Sequence, residues 1–399
     1  MLRLAVVGGR RGRALGGVLA ALGAQVEVVA VCDHTEPTRR AWVEAWRGPG
    51  GAPAAFESYE RLLDEAPCDA VLLATPMTQH APQAMRALRA GRHVLSEVVA
   101  ATTLEECWAL VEAVEASGKI YMLAENYCYT RPNMMVRHMV ERGVFGQCTY
   151  AEGAYIHDTR DLLFTAQGAL TWRGEIARTH GGNTYPTHAL GAVAQWLGTA
   201  GPGAADRLVE TATWSTPDAS RWRYVAERLG SDHEAARPGF FAAGDTATTL
   251  VRTARGALIS LRRDAASPRP HNMTHYHLQG TQASYLSPRH GGEDPLVWIA
   301  GRSPGTSPGD ARWEPLWAYA AEFEHPSWRA HGAAAGRAGH GGGDYFVVQA
   351  FLEAVRAGTP SPIDVYDAVA WSSLMPLSQE SVAGGGAPVA IPDFRRGRG

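Results

Sequence analysis

Residues 181–191 read GGNTYPTHALG, so Asn183, Tyr185 and His188 follow two glycines at the edge of an apolar helical stretch. A histidine with an ordinary pKa, about 6.5, accepts a proton near neutral pH. A tyrosine, with a free pKa of about 10, needs nearby positive charge before its phenolate can act as a base. Tyr155 and His157, in EGAYIHD, lie two apart on a strand pattern and share one face. Two readings are open from these residues alone. In one, Asn183 caps the helix THALGAVAQWLG, Pro186 sits in its first turn, and the Tyr/His strand face is half-buried structure. In the other, the glycines let the chain approach a ligand, and the Tyr and His side chains are acid–base groups.

The elements that must position them fall into two styles. Up to about residue 125, apolar strands alternate with helices: LRLAVVGG, VEVVAVCD, AVLLATP, HVLSE and IYMLAEN are the strands, and the segments between them have helical spacing. That alternation predicts a doubly wound parallel sheet over 1–125, with strands buried on both faces. Over 126–399 a helix, PNMMVRHMVERG, is followed by period-two segments such as CTYAEGAYIH, RLVETATWS, TATTLVRT, GALISLRRD and THYHLQGTQASYL. These predict an α+β domain with a large open, mainly antiparallel sheet. Two helices, DYFVVQAFLEAVRAG and VYDAVAWSSLMPLSQESV, close the chain, and Gly/Pro-rich stretches near 200–204, 303–309 and 332–343 read as surface loops.

Composition narrows the classes of function. The 399 residues are 45% hydrophobic and 19% charged with a net charge of −3, enough for a core and without the basic stripe that nucleic acid would need. No apolar run is long enough to span a membrane, and MLRLAVVGG lacks the cleavage site of a signal peptide. Five cysteines with no CxxC spacing fit reduced thiols, so the expected compartment is the cytoplasm. HYH at 275–277 puts two histidines on one strand face, but there is no HExxH or paired Cys/His spacing, and no metal is expected.

The first strand, glycine turn and helix suggest a dinucleotide. In VVGGRRGRALG, Gly8, Gly9 and Gly12 keep the turn tight and poor in side chains, so that backbone N–H groups can reach a pyrophosphate. Asp33 ends the second strand, where an acid would accept from a ribose diol and repel a 2′-phosphate, which favours NAD; its alternative role is a helix cap. Thr75, Pro76 and His80, in ATPMTQH, follow the third apolar strand at the expected ligand crevice.

At ATPMTQH, GRHVLSE and the EN of 125–126 the chain resembles the Gfo/Idh/MocA family, which pairs an NAD(P)-binding Rossmann domain with an open-sheet domain. The resemblance adds Glu97 and Asn126 to the cofactor-binding set. Where most members read Glu-Lys-Pro this chain reads Glu97-Val98-Val99, and Thr184 stands where the usual dehydrogenase motif has an Asp before its histidine. The only lysine, Lys119, cannot substitute. EGAYIHD, GGNTYPTHALGAVAQWLG, GHGGGDY and IPDFRRG resemble the narrower glycoside hydrolase family 109, typified by α-N-acetylgalactosaminidase. That resemblance implies Tyr155, His157, Tyr185 and His188 as catalytic residues. Asn183, His340 and Asp344 are the candidate substrate-binding residues; His340 and Asp344 either bind sugar hydroxyls or form a loop and a helix cap. The resemblance implies hydrolysis without net redox change: oxidation at C3, loss of the C2 proton, elimination at C1, water addition and re-reduction. His188 is assigned to the C3 hydroxyl and Tyr155 to the C2 proton. Tyr185 and His157 orient the sugar or assist the leaving group and water, although the roles could be permuted. A small-molecule glycoside is the expected partner, and pairing of the open sheet face predicts a homo-oligomer. The competing functions are an NAD-dependent sugar or cyclitol dehydrogenase and a non-catalytic NAD-bound sensor.

Overall fold

A computed structural model describes residues 1–270, 274–305, 307 and 309–396. The first sheet contains β1 (Leu2–Val7), β2 (Val26–Cys32), β3 (Ala54–Phe56), β4 (Ala70–Leu73), β5 (His93–Ser96) and β6 (Tyr121–Leu123). All pair in parallel, in the order β3-β2-β1-β4-β5-β6. β1 and β4 neighbour each other although two strands intervene in sequence. Their crossovers therefore leave in opposite directions and open a crevice at their carboxyl ends. Gly8, Asp33, Thr75, Glu97 and Glu125 all lie just beyond strand carboxyl ends.

The second sheet contains β7 (Cys148–Ile156), β8 (Leu208–Ser215), β9 (Thr246–Thr253), β10 (Leu258–Asp264), β11 (Thr274–Gly280), β12 (Ala283–Leu286), β13 (Leu296–Ile299), β14 (Glu314–Pro315) and β15 (Val389–Ala390). Its order is β14-β13-β12-β11-β7-β10-β9-β8-β15. Every pairing is antiparallel except β7 with β10, so the expected mainly antiparallel sheet is mixed at its centre. The helix Thr187–Trp196 packs on β7, and a Cβ on Gly153 would collide with the Ala189 carbonyl. Gly153 therefore lets this helix, and His188 in its first turn, lie directly on the sheet.

A continuous apolar core joins the two sheets. The chain also returns to the first sheet: Ser361 Oγ donates to the Tyr121 carbonyl (2.7 Å), and the Leu123 N–H donates to that of Ile363 (3.2 Å). The expected final helix is two, Val365–Ser372 and Leu374–Ala383. Pro376 accounts for the break, because it has no N–H to give the Ser372 carbonyl. Residues 332–335, expected as loop, end the helix Pro326–Ala335, and β3 and the helix Trp172–Thr179 were not expected. Two positions in the expected 303–309 loop, 306 and 308, lie outside the described residues.

Candidate functional site

The glycine turn is built as dinucleotide binding requires. Gly8 has φ 91°, and a Cβ there would strike the Ala74 carbonyl; a Cβ on Gly12 would strike Val6. The helix Gly9–Ala21 starts directly after the turn. Asp33 Oδ2 accepts from the Gly9 N–H at 2.9 Å, and Oδ1 accepts from the Thr35 N–H and hydroxyl, both at 2.9 Å. Asp33 thus caps the helix at the glycine turn, while the helix that follows it has Thr35 at its N-cap. The N–H groups of Arg10 and Arg11 have no acceptor among the described residues and remain available to a phosphate.

Three other expected cofactor residues have partners in the chain. Thr75 Oγ1 donates to Gln83 Oε1 at 2.6 Å. His80 is 1% exposed, with Nδ1 2.7 Å from the Val99 carbonyl and Nε2 2.8 Å from that of Thr75. Burial drives its pKa down, against both carbonyls, and its geometry braces the crevice wall instead of facing the crevice. Glu97 accepts from Arg11 Nε at 2.7 Å.

Arg11, inside the glycine turn, also reaches Asp344 at 3.1 Å. Asp344 is 2% exposed and further accepts from Asn126 Nδ2 (2.9 Å) and His340 Nδ1 (3.0 Å). Burial pushes its carboxyl up, but His340 and Arg11 outweigh burial and hold it well below the usual carboxylate range. His340 lies at φ 52°, inside a turn with Gly341 and Gly342 also left-handed. Asp344 is thus fully engaged within the protein, and Asn126 is buried against it.

The Tyr/His group forms where the two sheets meet. His188 Nδ1 lies 2.8 and 2.9 Å from the two oxygens of Glu125, which is fully buried. A carboxylate only accepts, so the imidazole proton sits on Nδ1. Nε2 then presents its lone pair and has no partner among the described residues. Tyr276, buried on β11, donates to the His188 carbonyl at 2.5 Å and fixes the first helical turn. Around the imidazole stand the rings of Tyr127 (4.7 Å), Tyr155 (4.7 Å) and Tyr185 (5.1 Å). The Tyr155 hydroxyl meets His157 Nδ1 at 2.7 Å, and the Arg263 guanidinium lies 4.8 Å from the Tyr155 ring centroid. Burial raises the Tyr155 pKa, while Arg263 and Arg173 pull it down. Tyr185 is half-buried, and its hydroxyl donates to the Val98 carbonyl at 3.3 Å.

Asn183 does not join the group. It is fully buried, takes the Tyr185 N–H on Oδ1 at 3.3 Å, and its own N–H donates to Ser378 Oγ. Through Oδ1 it sets Tyr185 in place, while its buried Nδ2 has no partner among the described residues. Nor does it cap the following helix, whose N-cap is Pro186 with no side-chain bond.

Comparison with known proteins extends the geometry. The profile for "Glycosyl hydrolase 109, C-terminal domain" matches residues 129–399, and that for "Oxidoreductase family, NAD-binding Rossmann fold" matches residues 2–125. The chain belongs to glycosyl hydrolase family 109. A "Glycosyl hydrolase family 109 protein" of Stenotrophomonas maltophilia is 33% identical, covering 99% of this chain and 89% of that one. An "Alpha-N-acetylgalactosaminidase" of Tannerella forsythia is 31% identical, covering 93% and 82%. In fold the chain is similar to a levoglucosan dehydrogenase solved with NADH and L-sorbose, with a TM-score of 0.77 at 18% identity over 99% of this chain and 100% of that one.

This family 109 protein is an NAD-dependent enzyme, and the turn suits the cofactor: it holds glycines where a Cβ would intrude, with two free amides at the helix start. Three residues near its site were not expected from sequence. Glu125 was passed over for its neighbour Asn126, although an acid ending the last parallel strand is itself a crevice signal. Arg11 lies among the glycines of the turn, which drew attention away from it. Arg263 shares parity with Ile259 and Leu261 on the inward face of β10, and an arginine on an apolar strand face is a legible anomaly.

Proposed function

We propose that the protein hydrolyses a glycosidic bond, on an N-acetylgalactosaminide-like substrate, with no net redox change. The observation that carries this reading is the buried Glu125 carboxylate on His188 Nδ1, which leaves Nε2 as a base beside three tyrosines. Bound NAD⁺ would supply reversible hydride acceptance at C3 of the sugar. His188 Nε2 takes the proton of the C3 hydroxyl, and Glu125 stabilises the imidazolium that forms. The ketone at C3 acidifies the C2 proton, which the Tyr155 oxygen removes. Burial holds the Tyr155 pKa above its ordinary value, and Arg263 over the ring works against that burial, supplying the positive charge a tyrosine base requires. Tyr185 and His157 orient the sugar and assist leaving-group and water chemistry. Asn183 holds Tyr185, and the Arg11–Asp344–His340 chain joins the cofactor turn to the sugar side. The acetamido sugar is supported by the name of the Tannerella forsythia relative.

A sugar dehydrogenase would use the same base and cofactor, and the levoglucosan dehydrogenase fold likeness favours keeping it as the second reading. The test follows nitrophenol release and NADH absorbance together on nitrophenyl α- and β-N-acetylgalactosaminides, galactosides and glucosides. Release without lasting NADH is expected; stoichiometric NADH from free sugar without release would select the dehydrogenase.

A further inference from the structure

A cavity of about 430 Å³ opens far from the Tyr/His group, against the C-terminal tail. Four segments build it: residues 199–208, the turn after β9, the helix Val365–Ser372 and residues 392–395. It lies at the end of β8 and β9 where Leu208 pairs with Thr253. The Tyr/His group stands at the other end, where Asp264 pairs with Thr246 and accepts the His157 N–H at 2.9 Å. A strand rises about 3.3 Å per residue, so the eight residues of β9 hold the two places roughly 20 Å apart. The volume is that of a small-molecule pocket.

The wall of the cavity is apolar, from Leu208, Ala254, Ala370, Pro392 and Phe394. The polar side chains of its floor are bonded within the protein. Asp367, 2% exposed, accepts from the Gly201 N–H at 2.7 Å and from Arg395 Nη2 at 2.9 Å, and both terminal nitrogens of Arg395 donate to Asp364 at 3.1 Å. Tyr366 donates to Glu115 at 2.9 Å, Asp393 accepts the Arg395 N–H at 3.1 Å, and Thr199 donates to the Ala194 carbonyl at 3.1 Å. The guanidiniums of Arg207 and Arg255, exposed at the rim, have no hydrogen bond or ion pair among the described residues. The backbone holds these two arginines side by side. Asp206 Oδ1 accepts the N–H of both, at 2.8 and 3.0 Å, and the Ala254 N–H donates to the Arg207 carbonyl at 2.8 Å.

An exposed arginine needs no counter-ion. What sets this pair apart is its fixed placement at the rim of an apolar-walled cavity. One carboxylate, Asp206, stands with the two guanidiniums, so the rim keeps a net positive charge, while the floor gathers Asp364, Asp367 and Asp393 around Arg395. An anionic head is drawn to the rim and kept from the floor, and guanidinium forks match the oxygens of carboxylates and phosphates. We infer that this cavity is a second ligand site, which takes a small amphiphilic oxyanion: a carboxylate or phosphate head between Arg207 and Arg255, and an apolar body against Leu208, Ala370 and Phe394. The site does not depend on the glycoside reading of the Tyr/His group.

The test is titration calorimetry on the NADH-loaded full-length protein. 3-Phenylpropionate is compared with 3-phenyl-1-propanol and acetate, and phenyl phosphate with phenol and inorganic phosphate. At least one of the two amphiphilic anions is expected to bind tenfold or more tightly than both its neutral counterpart and its bare head group, and the two arms identify which oxyanion is meant. Arg207→Gln combined with Arg255→Gln, both at exposed positions, should shrink the preference over the neutral compound to within about threefold and leave NADH binding unchanged. Ala205→Trp, on the exposed rim, should abolish binding by filling the mouth. The inference is overturned if neither anion binds, if the neutral compounds or the bare head groups bind as tightly, or if either variant leaves the binding intact, which would put the ligand elsewhere on the protein.

Discussion

His188 and His340 each set Nδ1 on a buried carboxylate, and Tyr127 stands between the two rings, 4.7 Å from one and 5.8 Å from the other. Their carboxylates differ in company. Glu125 gives both oxygens to His188 and, among the described residues, otherwise accepts only the Tyr127 N–H, at 3.2 Å. Its charge is available to stabilise an imidazolium. Asp344 divides its oxygens among His340, Arg11 and Asn126, so a guanidinium that it shares with Glu97 already offsets part of its charge. The same imidazole–carboxylate pair can therefore serve two ends. An acid with no cation beside it makes a base of its histidine, and one that shares a guanidinium makes a brace between the glycine turn and the C-terminal part of the chain.

The contrast can be broken most directly at the two histidines. His188→Ala should lower kcat/KM by about 10³-fold or more while NAD still binds, as expected for loss of a general base. If it cleaved at the wild-type rate, His188 would not be the base. Glu125→Gln comes next, with a loss of about 10²-fold falling on kcat, because the imidazolium loses its counter-charge; an effect confined to KM would make Glu125 a binding residue only.

Arg263→Gln sharpens the cluster around Tyr155. Burial raises that pKa and Arg263 opposes it, so losing the guanidinium raises it further. The rise of activity with pH should then move to higher pH. An unmoved or lowered pH profile would remove Tyr155 as the phenolate base.

Asp344→Asn tests the brace through stability. The folded carboxyl titrates below its unfolded value, so its contribution is full above about pH 4 and lost as pH falls through the folded pKa. The variant should lose about 2 kcal/mol at neutral pH by leaving Arg11 and His340 with a weaker partner. Thermal melts should show the gap to wild type closing in acid; a gap constant with pH would mean packing, not charge. The smallest change is expected from His340→Ala, within about tenfold in kcat/KM. A loss matching that of His188→Ala would erase the distinction between the pairs.

Much of this was legible in the chain. Alternation of strand and helix gave the parallel sheet, because crossovers bury both faces and leave continuous apolar runs such as LRLAVV and AVLL. The glycine turn showed itself through residue type, since Gly8 must take a positive φ against the Ala74 carbonyl. Tyr155, His157, Tyr185 and His188 were all singled out, and the fold gathers them. Asn183 and His80 both bond to the chain itself, and such bonds between distant segments cannot be read from a motif.

By itself the sequence determined the elements, the family and the kind of side chains at the site, because periodicity and turn chemistry are local properties. Only the tertiary structure decided the partners. Glu125 and His188 are 63 residues apart, and Arg11 and Asp344 are 333 apart. Whether a carboxylate meets an imidazole alone or shares itself with a guanidinium depends on which distant elements pack together. Gly153 permits one such contact by letting the His188 helix lie on β7, and no local pattern specifies which helix fills that space.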